Sequence, residues 1–163
     1  MDRLWYGIRE QLQAEKSPYR AMHSGAEVYV EREYWRQRGH NPGYMILLWE
    51  QWKRLPRYAS AVFWSNNPPA IVADVRSPVS SPRRAHLFDN EEKLPDYAIA
   101  GVQEVWRFYI SDDCQGEWVE ICYLVNGEYE RQRFTGSARI VSRLLPSITP
   151  AVEEIYGPFE WNE

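Results

Sequence analysis

The side chains in this sequence that could do chemistry fall in a few places, and spacing alone gives each a modest role. Asp74 stands next to last in the run PAIVADV and shares a strand face with Arg76 two positions on, the spacing of an end-of-strand ion pair or of a cap on the following loop. Lys93 lies four residues after Asp89, the separation at which a helix pairs a lysine with a carboxylate. Arg83 and Arg84, with Lys53, Arg54 and Arg57, could track a phosphate backbone; a charged loop and a solvated helix face account for them equally well. His23, His40 and His86 have no mutual spacing that makes a metal site or an acid–base pair, and Cys114 and Cys122 have no base near them in sequence. Trp49 and Trp52 are rings that could cover a partner surface.

These residues must be held by a chain of 163 residues, a length that predicts one domain, residues 1–163, with a single sizeable core. Charge is divided unevenly along it. Residues 1–88 carry 13 basic and 8 acidic side chains, residues 89–163 carry 6 and 15, and no aspartate lies between Asp2 and Asp74. The net charge of −4 argues against a protein that coats nucleic acid generally, while leaving a local basic face in the first half. With 8 Trp and 11 Tyr the low hydropathy does not signal disorder, because large rings supply the buried area. The opening MDRLWYGIREQLQAEK has frequent charges and no apolar centre, so it reads as a helix and not a signal peptide, and no apolar run approaches the ~20 residues of a membrane span. Two cysteines are too few for a disulfide framework, which predicts free thiols and a reducing, cytoplasmic setting.

Hydrophobic period supplies the elements. Leu4, Ile8 and Leu12 recur every four residues, an amphipathic helix of about 14 residues ending near Ser17-Pro18. Ala26 to Tyr34 alternates as a half-buried strand, RQRGHNP from Arg36 to Pro42 has turn composition, and Tyr44 to Leu48 is a short buried run leading into Trp49, Trp52 and Leu55 at helical spacing. Ala61 to Trp64 and Ile71 to Val75 are strands, the second apolar on both faces and so interior to a covered sheet. Asp89 to Ala100 reads as helix. Val102 to Ile110, Trp118 to Val125 and Tyr129 to Phe134 follow as strands, the last two joined by the hairpin dipeptide Asn126-Gly127, and Thr149 to Tyr156 closes the chain as a short helix.

The stretch PAIVADVRSPVSSPRRAHLFDNEEKLPDYAIAGVQEVW, from Pro69 to Trp106, resembles the Uma-two family of restriction-endonuclease-like proteins, a branch of the PD-(D/E)XK nuclease-like superfamily. The matching residues are Pro69, Asp74, Val75, Ser77, Pro78, Asp89, Lys93, Tyr97, Gly101, Val102, Glu104 and Trp106, without a gap from Lys93 onward. NGEYERQRF and SRLLPSITPAVEEIY are similar to the family's closing hairpin and last helix. The motifs cover residues 69–156 well and 1–68 poorly, with 157–163 as a tail.

The resemblance implies an α/β restriction-endonuclease-like fold, a mixed sheet flanked by helices with a C-terminal antiparallel hairpin. It also implies a site in which two acids hold Mg²⁺ and a lysine stands near the attacked phosphate, the ion stabilising charge and lowering the pKa of its water. Asp74 matches one acid, in place of the family's usual Glu, and Lys93 matches the lysine. The other acid is expected as an Asp after a Pro on an earlier strand, where two alignments put Gly43 (in HNPGYMILL) or the region of Ser60. Only a Glu could substitute there, with Glu50 nearest and Glu31 and Glu33 behind it. Three functions follow as expectations: a catalytically impaired nuclease fold serving as a binding or assembly module for a protein partner or a second copy; an active Mg²⁺-dependent DNA endonuclease using Asp74, Lys93 and Glu50; and a nucleic-acid binder without cleavage.

Overall fold

The structure, a computed structural model, describes residues 2–23, 26–32, 36–55, 61–64, 67–76, 93–109 and 117–157. Helix α1 (Asp2–Ala14) forms where the four-residue apolar period predicts it, and buries Trp5, Ile8 and Leu12. It ends in a Schellman turn: Ser17 N–H donates to Leu12 O at 2.9 Å and Lys16 N–H to Gln13 O at 3.1 Å, with Lys16 left-handed at φ 51°.

The strands are β1 (Tyr19–His23), β2 (Ala26–Arg32), β3 (Arg36–His40), β4 (Tyr44–Leu48), β5 (Ala61–Trp64), β6 (Ile71–Arg76), β7 (Glu104–Tyr109), β8 (Trp118–Val125) and β9 (Glu128–Thr135). Six of them form a mixed sheet in the order β1-β4-β6-β7-β8-β9, with β6 and β7 parallel and the other neighbours antiparallel. A second sheet has the order β3-β2-β5. The segment RQRGH, which its glycine marks as turn, is instead strand β3, paired antiparallel with β2 from Val28↔His40 to Arg32↔Arg36. A neighbouring strand that satisfies the ladder outweighs local turn composition. Asn126 (φ 52°) and Gly127 (φ 86°) make the expected two-residue turn between β8 and β9, which extends the main sheet.

Helices α2 (Trp49–Lys53), α3 (Lys93–Ala100) and α4 (Val152–Tyr156) complete the described elements. On one face of the main sheet, α1 and the closing segment with Ile140, Leu145, Ile148 and Val152 cover Ile46, Ile71, Ala73, Trp106, Phe108 and Ile121. On the other, Leu94, Tyr97 and Ala100 of α3, with Val28 and Val30 of β2, cover Met45, Leu47, Val72, Val105 and Cys122. Ile71, Val72 and Ala73 are therefore all at 0 % exposure, which is why β6 reads as a continuous apolar run. Gly101 (φ 85°) closes α3 with a second Schellman turn, Val102 N–H donating to Tyr97 O and Gly101 N–H to Ala98 O, each at 3.0 Å, a backbone conformation that favours glycine. No helix among the described residues is long and apolar enough to cross a membrane.

Candidate functional site

Strand register gathers the charges that spacing alone leaves apart. On the α3 face, Asp74 of β6 pairs in register with Arg107 of β7, Arg107 with Glu120 of β8, and Glu120 with Arg133 of β9. Side chains at paired positions share a face, so these four form a row of alternating sign across four strands. The central members touch: Arg107 donates to Glu120 Oε2 at 2.7 Å, and Arg133 stands 3.8 Å from the other oxygen.

At the Asp74 end of the row, α3 brings Lys93, its first residue, over the strand, with Nζ 3.5 Å from Asp74 Oδ1. The Lys93 and Asp74 side chains are 23 % and 21 % exposed, withdrawn from bulk water but within reach of a ligand. On the other side of Asp74 lies β4. Its pairing with β6 runs Tyr44↔Ala73, Met45↔Val72 and Ile46↔Ile71, so one further step sets Gly43 opposite Asp74. A Cβ built on Gly43 meets Ala73 O at 3.6 Å, ordinary contact, so the backbone has room for a side chain there.

One turn along α3 from Lys93, Asp96 is fully buried and lies 2.7 Å from His40 Nε2, while the His40 ring sits edge-on to Tyr97 with centroids 5.5 Å apart. Two positions along β8 from Glu120, the Cys122 thiol is pushed up to about 12, first by burial and then by the Glu120 carboxylate, so it is a neutral, packed group.

Residues 2–153 match the family model of Uma2, described as a putative restriction endonuclease. The chain belongs to the Uma2 family. No curated protein matches it. The six-stranded mixed sheet with flanking helices is a restriction-endonuclease-like arrangement. The match starts at residue 2, so Uma2 takes in the first 68 residues as well as the stretch in which the motif residues lie.

The Uma2-like residues divide between the two faces. Asp74 and Lys93 meet on the α3 face, whereas Glu104 and Trp106 lie on the α1 face and make a structural clamp. Glu104 is 1 % exposed; its Oε2 accepts from Trp106 Nε1 at 2.9 Å and Ser142 Oγ at 2.8 Å, and its Oε1 from the backbone N–H groups of Arg143 at 2.7 Å and Leu144 at 3.0 Å. Tyr97 and Trp106 are core residues at 0 % exposure, as their size suggests.

Glu50 is not brought to Asp74. It lies in α2, beyond the end of β4 distant from Gly43, and the five steps from Gly43 to Leu48 alone span about 17 Å at roughly 3.4 Å each. Two ligands of one Mg²⁺ stand within about 4 Å of each other. Glu50 is instead exposed and paired with Lys53 at 2.6 Å. Trp49 and Trp52, in the same helix, are likewise remote from Asp74. Arg83, Arg84, Arg57, Asp89, Ser60, Glu33, His86 and Cys114, and the side chain of Glu31, lie outside the described residues.

Spacing missed the His40–Asp96 pair and the Arg107–Glu120 row. The available signal was a charge in the middle of a largely apolar strand, Arg107 in EVWRFY and Glu120 in WVEICYLV, which requires a partner once buried.

Proposed function

We propose that this chain is a catalytically impaired nuclease fold that serves as a binding or assembly module. The observation that carries the reading is Gly43 across from Asp74: one of the two positions that the family resemblance gives to an acid, the other being the region of Ser60, holds a glycine, so Asp74 has a lysine above it and a glycine beside it. Among the described residues no three His, Cys, Asp or Glu side chains stand together as a metal site. The described part of the site, one carboxylate beside an ammonium group, does not fit Mg²⁺, which needs near-octahedral oxygen coordination and gives up its waters reluctantly. What the site offers instead is a half-buried cation beside an anion, suited to holding a polar group of a partner.

A second reading, an active Mg²⁺-dependent DNA endonuclease, is favoured by one observation, the Asp74–Lys93 contact at 3.5 Å that the chemistry would use. Labelled single- and double-stranded DNA incubated with Mg²⁺ or Mn²⁺ separates the two. We expect no cleavage by the unaltered chain. We also expect Gly43→Asp, which supplies a carboxylate roughly 5 Å in Cα distance from Asp74, to gain a Mg²⁺-dependent rise in stability. At ten times its Kd the ion contributes about 1.4 kcal/mol, a rise of roughly 3–6 °C in a domain of this size. Cleavage by the unaltered chain that Lys93→Ala abolishes would overturn the impaired reading.

A further inference from the structure

A cleft of about 860 Å³ opens between α1, the edge strand β1 and α2, within the range of ligand-sized cavities. Its floor is aromatic: Trp5 and Tyr44 have ring centroids 4.7 Å apart, and His23 lies 4.8 Å from Tyr44. Its rim is aromatic and cationic. The Arg20 guanidinium lies 4.4 Å from the centroid of Trp49, and that of Arg9 lies 5.5 Å from the centroid of Tyr6. Tyr6, Trp49 and Trp52 are 60 %, 39 % and 36 % exposed, unusual for rings of this size outside an interface.

Charge decides what the cleft can take. In a chain of net charge −4, the lining holds Arg9 and Arg20 and no carboxylate. Among the described residues neither arginine pairs with an acid; Arg20 donates to the backbone oxygens of Ser17 and Tyr19 at 2.7 and 2.6 Å, and Arg9 is laid over its ring. The other large cleft, of about 930 Å³, mixes signs and neutralises its Arg139 with Glu154 at 3.3 Å. Cations without acids call for an anionic ligand, and partly exposed rings, over which those same cations lie, call for a planar one that can exchange with them once the arginines turn to a phosphate. A nucleic-acid single strand carries both along its length, whereas a duplex hides its base faces.

We propose that this cleft binds single-stranded nucleic acid, a base stacking on Trp49 and backbone phosphates pairing with Arg20 and Arg9. The cleft lies on the α1 side of the sheet edge, away from Asp74 and Lys93, so the proposal stands apart from the state of that site.

The test is fluorescence anisotropy of a labelled 12-nucleotide DNA, a matching RNA and the DNA duplex, with EDTA present so that no metal-dependent binding contributes. The unaltered chain is expected to bind a single strand more tightly than the duplex. Trp49→Ala should weaken single-strand binding about tenfold or more, in line with the loss of one stacked base, and Trp49→Phe should recover most of it. Arg20→Ala and Arg9→Ala should each reduce the slope of log affinity against log salt by about 0.7, the single-strand value per phosphate. Arg139→Ala, on a different surface, should stay within twofold, and thermal melts of every variant establish that it is folded. Absence of single-strand binding at low salt, equal affinity for the duplex, or affinity unmoved by Trp49→Ala in a folded variant would each overturn the proposal. So would a protein partner captured through Trp49 by a chain that binds no single strand.

Discussion

Replacing Glu104 by Gln conserves volume and tests the clamp that ties the closing segment to β7. Four donors converge on the Glu104 carboxylate, two of them backbone N–H groups at Arg143 and Leu144. An amide in the same place keeps one oxygen, best used by those two N–H groups. Its NH₂ then faces Ser142 Oγ, which can turn to accept, and Trp106 Nε1–H, which cannot. Two charge-assisted bonds become neutral ones, a loss of about 1 kcal/mol each, and one buried indole donor is orphaned at a cost of about 1–3 kcal/mol. The sum is roughly 3–5 kcal/mol out of the ~5–15 kcal/mol that holds an ordinary domain. In a chain of this length each kcal/mol moves the Tm by about 2–4 °C, so the melt should fall by roughly 6–20 °C. Urea titration monitored by tryptophan fluorescence measures the change. In the Glu104→Gln background Ser142→Ala should cost less than it does alone, because the bond it removes has already lost its charged partner. A loss below about 1 kcal/mol for Glu104→Gln, or strict additivity with Ser142→Ala, would refute the clamp.

Cys122 should resist thiol reagents in the folded protein, tested in a Cys114→Ser background so that one thiol reports. Burial and Glu120 raise this thiol from 9.0 to about 12, so the folded chain holds the proton more tightly than the unfolded one. Its contribution to stability is complete below pH 9 and is lost at about 1.4 kcal/mol per pH unit as pH rises toward 12. Tyr129 and Tyr156 are raised from 10.0 by burial and add to the same alkaline loss, so urea midpoints should fall steadily above pH 9. Arg107→Met leaves Glu120, whose side chain is 8 % exposed, with only the more distant Arg133 as a described ion-pair partner; stability should fall by about 2–4 kcal/mol in urea titration, and adding Glu120→Met should recover most of that.

Much of the scaffold is legible in the sequence because local signals and burial agree there. Leu4, Ile8 and Leu12 mark α1, the doubly apolar PAIVADV marks a strand covered on both sides, and Asn126-Gly127 marks the last hairpin. RQRGH misleads because turn composition is a local signal and the ladder with β2 is not, and Glu50 misleads because nearness in sequence to β4 says nothing about which end of the strand faces Asp74. The meeting of Asp74 with Lys93 is anticipated from the family-like motif, whereas the alternating row through Arg107 and Glu120 depends on register. Register comes from packing two apolar faces at once and cannot be read from either strand alone. His40 and Asp96 are separated by 56 residues, beyond any spacing rule.

β1 and β4 are neighbours in the sheet, yet His23 pairs with Tyr44 and the chain makes a twenty-residue excursion, 24–43, between them. That excursion is not slack: it contains β2 and β3, and Val28 and Val30 of β2 are buried against the main sheet and α3. It also reaches the site: His40, near its end, grips Asp96 on the helix that begins with Lys93. Drift in that segment, remote in sequence from Asp74, is thus transmitted to the lysine's helix through the apolar packing of β2 and through one buried polar contact, and the helix can tolerate only those excursions that still deliver an imidazole to Asp96.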